Sequence, residues 1–147
     1  MDAAPILARV ARVMRETGLE AVMIGNAAAA LHGAPVTTVD IDFLFRKTPA
    51  NVRKLKKLAA KLGAVLFKPY YPQGDFLRLY ADDEAIQLNF LTEREGITLG
   101  SVRTVAIQLG GEELQIETLR QKLPVRVPSE ERTHFLRKRI GIGLTSF

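Results

Sequence analysis

Asp40 and Asp42 stand two residues apart in the run Thr38-Val39-Asp40-Ile41-Asp42-Phe43-Leu44-Phe45. On a strand, side chains alternate with period 2, so both carboxylates point to one face. Two like charges side by side repel and call for a cation between them. Ligands that are all oxygen suit a hard ion such as Mg²⁺ or Mn²⁺, which takes one or two protein carboxylates and completes its shell with phosphate and water. A few residues upstream, an apolar run ending at Ile24 passes through Gly25-Asn26 into an alanine-rich stretch. A glycine turn opening a helix supplies backbone N–H groups for a phosphate. Together these features suggest a metal–nucleotide site.

The elements that must position these groups are legible from periodicity. Ile6, Leu7, Val10, Val13 and Met14 recur at helical spacing within 4–17, with arginines on the other face, and Gly18 ends the helix. Residues 20–24 read as a short buried strand and 26–32 as a helical turn stopped by Gly33 and Pro35. The strand bearing the aspartates covers 39–45. Thr48 is an N-cap with Pro49 at the first helical position, opening a helix to about Leu62 that Gly63 closes. Strands are expected at 64–68, 75–80 and 85–91, with turns at Pro69, Pro72-Gln73-Gly74 and Asp82-Asp83. Residues 102–109 and 112–116 read as a hairpin around Gly110-Gly111. A short helix is expected near 117–123, and Ser129-Glu130-Glu131 opens a basic helix at about 129–140. Strands and helices mix without strict βαβ alternation. The expected fold is therefore α+β, a mixed sheet with helices packed on it, in a single domain over residues 1–147.

Composition narrows the function classes. The chain has 147 residues, 47% of them hydrophobic, enough to bury a real core. It has no cysteine, which excludes disulfides and thiolate metal centres. No stretch approaches the roughly 18 apolar residues of a membrane span. Arg9, Arg12 and Arg15 interrupt the apolar run that a signal peptide would need, so a cytoplasmic location is expected. The formal charge of +5 is compatible with an anionic partner, and is also ordinary for a soluble domain.

Taken together, Ile24-Gly25-Asn26-Ala27-Ala28, Leu31-His32-Gly33-Ala34-Pro35 and Thr38-Val39-Asp40-Ile41-Asp42 resemble the nucleotidyltransferase (polymerase-β-like) superfamily. The likeness is greatest to small bacterial minimal nucleotidyltransferases and to the toxin components of abortive-infection systems. Their pattern is hydrophobic–Gly–(Gly or Ser)–x–Ala, a spacer ending in Gly, then Thr-x-Asp-hydrophobic-Asp. The resemblance extends loosely to residue 91. It implies transfer of a nucleotidyl group from Mg²⁺–nucleoside triphosphate to RNA, a protein or a small molecule. Asp40 and Asp42 would hold the metals, and Gly25, Asn26 and Thr38 would serve the nucleotide. Two metals then activate the attacking oxygen and steady the leaving pyrophosphate.

The departures from this pattern bear on catalysis. The third metal carboxylate of the family falls, by its spacing to Gly96, on Asn89, in Ile86-Gln87-Leu88-Asn89-Phe90-Leu91. An amide keeps an acceptor oxygen but loses the charge and the capacity to take up a proton. Asn26 replaces the second Gly or Ser of the turn, Val36 stands where many relatives carry arginine, and Glu130-Glu131-Arg132 lacks a clear Lys–Asp pair. Asp75 or Glu93 are the acids near enough in sequence to substitute. Two function classes follow. One is a nucleotidyltransferase, weak or completed by a partner in a toxin–antitoxin pair. The other is an impaired, nucleotidyltransferase-fold module for binding or regulation. His32 reads as a packing or capping residue, the lysines of 54–61 as the wet face of a helix, and Tyr70, Tyr71 and Tyr80 chiefly as strand packing.

Overall fold

The computed structural model describes residues 4–33, 40–69, 76–81 and 86–118. Thr38, Val36, Tyr70, Tyr71, Asp75, the turns at 72–74 and 82–83 and the basic helix expected at 129–140 lie outside the described residues. The elements run α1 (Ala4–Thr17), β1 (Ala21–Ile24), α2 (Gly25–Leu31), β2 (Asp40–Phe45), α3 (Pro49–Leu62), β3 (Val65–Phe67), β4 (Leu77–Ala81), β5 (Ile86–Leu91), β6 (Glu93–Arg94), β7 (Ile97–Thr98), β8 (Thr104–Leu109) and β9 (Glu112–Glu117). Seven strands form one sheet in the order β3-β4-β5-β2-β1-β9-β8, and β6 pairs with β7 in a separate small hairpin. The large sheet is mixed: β1–β9 and β2–β5 pair parallel, and its other neighbours pair antiparallel. The architecture is α+β, as expected from the sequence.

Local chemistry explains the element ends. The Thr48 hydroxyl accepts from the Asn51 N–H at 3.1 Å, Pro49 needs no partner for a first-turn donor, and Gly63 closes α3 in the left-handed region at φ 65°. Two hairpins turn on two residues with positive φ, Glu95-Gly96 and Gly110-Gly111. That geometry matches the twist of the paired strands.

The two faces of the sheet differ. Leu7, Val10, Val13 and Met14 of α1 and Leu55, Leu58 and Leu62 of α3 pack on Met23, Ile41, Phe43, Phe45, Leu79, Leu88, Phe90 and Ile116. The ring of Phe90 stacks on Phe43 at 5.2 Å between centroids and meets Phe45 edge-on at 5.7 Å. The opposite face holds a smaller apolar cluster of Val22, Ile24, Leu44 and Leu99, with Leu91, Ile97 and Val102 against it. Strand alternation sends Ile41, Phe43 and Phe45 into the large core, and Asp40, Asp42 and Leu44 to this second face.

Three details differ from the sequence expectation. Glu117, expected to begin a helix, ends β9 instead, because its backbone continues the ladder opposite Thr104. The β6–β7 hairpin was not foreseen; its two-residue strands are too short to show periodicity. Tyr80, read as packing, is an exposed side chain on β4.

Candidate functional site at the aspartate face of the sheet

Strand register lays the candidate residues out in two rows across the sheet. Val65, Tyr80, Gln87 and Asp40 are successive neighbours across β3, β4, β5 and β2. Phe67, Arg78, Asn89, Asp42 and Ile24 form the next row, two residues further along. Asn89 therefore lies directly beside Asp42 on the parallel neighbour strand, as its spacing implied. Gln87 holds the same relation to Asp40.

What these neighbours offer the aspartates is hydrogen-bond donors. Gln87 Nε2 donates to Asp40 Oδ1 at 2.7 Å, and Asn89 Nδ2 donates to Asp42 Oδ1 at 2.9 Å. The Asn89 amide is fixed in that orientation because Arg78 Nε, which can only donate, lies 2.9 Å from its Oδ1. Arg78 in turn sits over the Phe76 ring at 5.5 Å. The second oxygen of Asp42 is held by Arg94 from the β6–β7 hairpin, with Nη2 to Oδ2 at 2.8 Å. Asn89 is buried, Asp42 largely so, and Asp40 is exposed.

The glycine turn is equally committed. Gly25 has φ 77°, and a Cβ there would lie 3.1 Å from Arg94 Nη1 and 3.2 Å from Asp42 Oδ2. Glycine is required on both counts, since an L side chain is strained at this φ and its first carbon would press on the ion pair. The turn N–H is not turned to solvent: Gly25 N–H donates to Glu117 Oε1 at 2.9 Å in a buried contact. A carboxylate at this end of α2 is favoured by the helix dipole. His32 Nε2 donates to the Glu117 carbonyl at 2.7 Å, tying the other end of α2 to the same residue. The histidine is thus a structural tie. Asn26 is exposed in the first turn of α2.

Of the expected site residues, Gly25, Asp42 and Asn89 are brought together, Asp40 lies in the adjacent row, Asn26 borders the turn, and Thr38 is outside the described residues. Glu93 Oε1 accepts from Gly96 N–H within its own hairpin. The residue that arrives is its neighbour Arg94. Sequence reasoning also passed over Glu117, whose signal is an acid ending an apolar strand, Leu114-Gln115-Ile116-Glu117.

A divalent ion at this point needs oxygen lone pairs directed at it. Here the side chains facing Asp40 and Asp42 direct N–H groups, and one carries a full positive charge. Among the described residues, no three His, Asp or Glu side chains converge into a metal-holding group. The described donor set does not fit a centre with two metal ions.

No protein-family model and no curated protein matches the sequence. Solved structures do match. A Thermotoga maritima protein assigned as a nucleotidyltransferase superposes with a TM-score of 0.59 over 91% of this chain and 89% of its own, at 15% identity. The antibiotic-resistance factor ANT(2'')-Ia in solution gives 0.55 over 96% and 86%, at 14% identity. In its crystal complex with adenylyl-2''-tobramycin, ANT(2'')-Ia gives 0.53 over 94% and 89%, at 13% identity. The chain has the nucleotidyltransferase fold.

Proposed function

We propose that this chain is a nucleotide-binding module of the nucleotidyltransferase fold whose capacity for nucleotidyl transfer is severely weakened. The observation that carries this reading is Asn89. At the place beside Asp42 where a third carboxylate would serve a catalytic ion, the chain has an amide that donates to Asp42 and accepts from Arg78. If a carboxylate there stabilises the transition state by several kcal/mol, its loss lowers the rate by orders of magnitude, at about 1.4 kcal/mol per tenfold. The nucleoside triphosphate would lie beside the Gly25-Asn26 turn and the aspartate rows, its phosphates facing Arg94 rather than the Gly25 N–H that Glu117 holds. Tyr80 and Phe67, exposed members of those two rows, offer apolar surface for a base. The role is one of binding or regulation in the cytoplasm, and a protein partner, as in a toxin–antitoxin pair, or an RNA would receive the signal.

A second reading, active transfer to RNA, protein or a small molecule with Mg²⁺ or Mn²⁺, is favoured by the retention of both Asp40 and Asp42. It is also favoured by the adenylylated small molecule held by one structural neighbour. Titration calorimetry with each nucleoside triphosphate, paired with incubation of the labelled triphosphates with Mg²⁺ or Mn²⁺, separates the two. Binding without incorporation into protein, RNA or small acceptors supports the module. Incorporation that disappears in Asp40→Ala/Asp42→Ala establishes the enzyme, and failure of every triphosphate to bind overturns the nucleotide-binding reading itself.

A further inference from the structure

We propose that Arg94 takes the place of a divalent cation at this site, so that the site engages phosphate without metal and excludes metal while Arg94 is in place. This rests on the nucleotide-binding reading for its ligand, but not for its cation. The charge pattern supports it. Asp42 has one oxygen on Arg94 Nη2 at 2.8 Å and the other on Asn89 Nδ2 at 2.9 Å, so both of its oxygens face donors. A metal binding Asp42 would displace the guanidinium, and would then meet the Asn89 NH₂ group rather than a lone pair. Asn89 cannot turn its oxygen toward the metal without breaking its contact with Arg78 and setting its NH₂ against that cation.

The position of Arg94 is suited to a second task. Its Nη1 lies against Gly25 on the turn, and its side chain is about two-fifths exposed, whereas that of Asp42 is 16% exposed. The guanidinium is thus pinned on one edge by a carboxylate, on a side chain that is about two-fifths exposed beside the turn. A planar guanidinium with five donors can pair with a carboxylate on one side and a phosphate on another, which a compact ammonium cannot do with the same geometry. The cation that a phosphate meets at this turn is therefore built into the chain, on a hairpin whose tight Glu95-Gly96 turn aims it. Arg78, two row positions from Asp42 on the far side of Asn89, adds a second positive charge to the same row.

Two measurements on the full chain test this. Mn²⁺ alone is titrated by electron paramagnetic resonance into wild type, Arg94→Gln and Arg94→Lys. Arg94→Gln should bind Mn²⁺ about tenfold or more tighter than wild type, the size of effect a neighbouring opposite charge has on a carboxylate's proton affinity. Arg94→Lys, which keeps the charge, should stay close to wild type. Equal Mn²⁺ affinity in wild type and Arg94→Gln, with both folded by circular dichroism, overturns the replacement of metal by arginine. ATP is then titrated in excess chelator and in excess Mg²⁺. Similar affinity in the two conditions, lowered by Arg94→Gln in chelator, is expected. ATP binding that requires Mg²⁺ overturns the proposal while sustaining nucleotide binding. Absence of ATP binding in either condition overturns the phosphate role and the nucleotide-binding reading, and leaves the Mn²⁺ comparison to judge the cation.

Discussion

The two faces of the seven-stranded sheet divide the work of the molecule. The face under α1 and α3 is closed by side chains with little freedom to change: Phe43, Phe90, Leu55, Leu58 and Ile116 are fully buried. The opposite face spends its alternate positions on Asp40, Asp42, Gln87, Asn89 and Arg78, with a small apolar cluster only where the 91–102 segment folds over it. One face is held by packing, the other by a chain of polar contacts running Arg78–Asn89–Asp42–Arg94. Stability and chemistry are thus carried by residues that alternate along the same strands, so one substitution on each side tests the division.

The largest effect should come from the packed face. Phe90→Ala removes a ring stacked on one phenylalanine and edge-on to another, at a site with no exposure. A loss of about 3–5 kcal/mol in chemical denaturation is expected, much of the stability of a domain this size. Arg94→Gln on the other face should move the same midpoint far less. If the two substitutions cost the same, the division between the faces fails.

Asn89→Asp is the sharper test of the polar face. It sets a buried carboxylate against Asp42, 2.9 Å from where an N–H now donates, while gaining a charge partner in Arg78. Thermal unfolding without metal should show a loss of about 1–3 kcal/mol, the cost of replacing a buried donor by a like charge. Mn²⁺ should do little for wild type or for Asn89→Asp, and should recover part of the loss only when Arg94→Gln is added to Asn89→Asp. A variant as stable as wild type in chelator would show that the Asn89–Asp42 bond is not what relieves Asp42.

How much of this was legible in sequence follows the same division. The packed face was readable because helical and strand periodicities mark apolar residues directly. Leu7, Val10, Val13 and Met14 on α1 are buried as their helical spacing predicts, and Ile6 only partly so. The aspartate pair, the Gly25 turn and the Asn89 position were legible because each is tied to a local motif. Arg94 and Glu117 were not. Each reaches the site through tertiary pairing, one from a hairpin too short to show a period and the other across the β1–β9 ladder. The donor character of the site depends on which neighbour the register places opposite each acid, and register across β2 and β5 joins residues 47 apart in sequence.

A smaller effect lies at the start of α3, which completes the packed face. Thr48→Ala removes the acceptor for Asn51 N–H and should cost about 1 kcal/mol by denaturant unfolding, with Thr48→Ser close to neutral. A loss as large as that of Phe90→Ala would mean the packed face depends on the helix end more than on its rings.

The smallest effect concerns the contact that ties α1 to the β8–β9 hairpin at the rim of that face. Arg15 Nε and Nη2 hold the two oxygens of Glu112 at 3.0 Å each. The guanidinium keeps the Glu112 carboxyl below its usual range, chiefly through these hydrogen bonds, and burial opposes it only in part. A carboxyl depressed in the folded state contributes stability that is complete above its ordinary pKa of about 4.3 and fades as pH falls through the lower folded value. Arg15 is raised by the same contact and loses its contribution only above its ordinary range, outside any working pH. The melting temperatures of wild type and Glu112→Gln should therefore differ by a small constant amount near neutrality, and the gap should close under acid and shrink with added salt. A gap that widens as pH falls would reverse the sign and remove this ion pair from the account of how α1 is anchored.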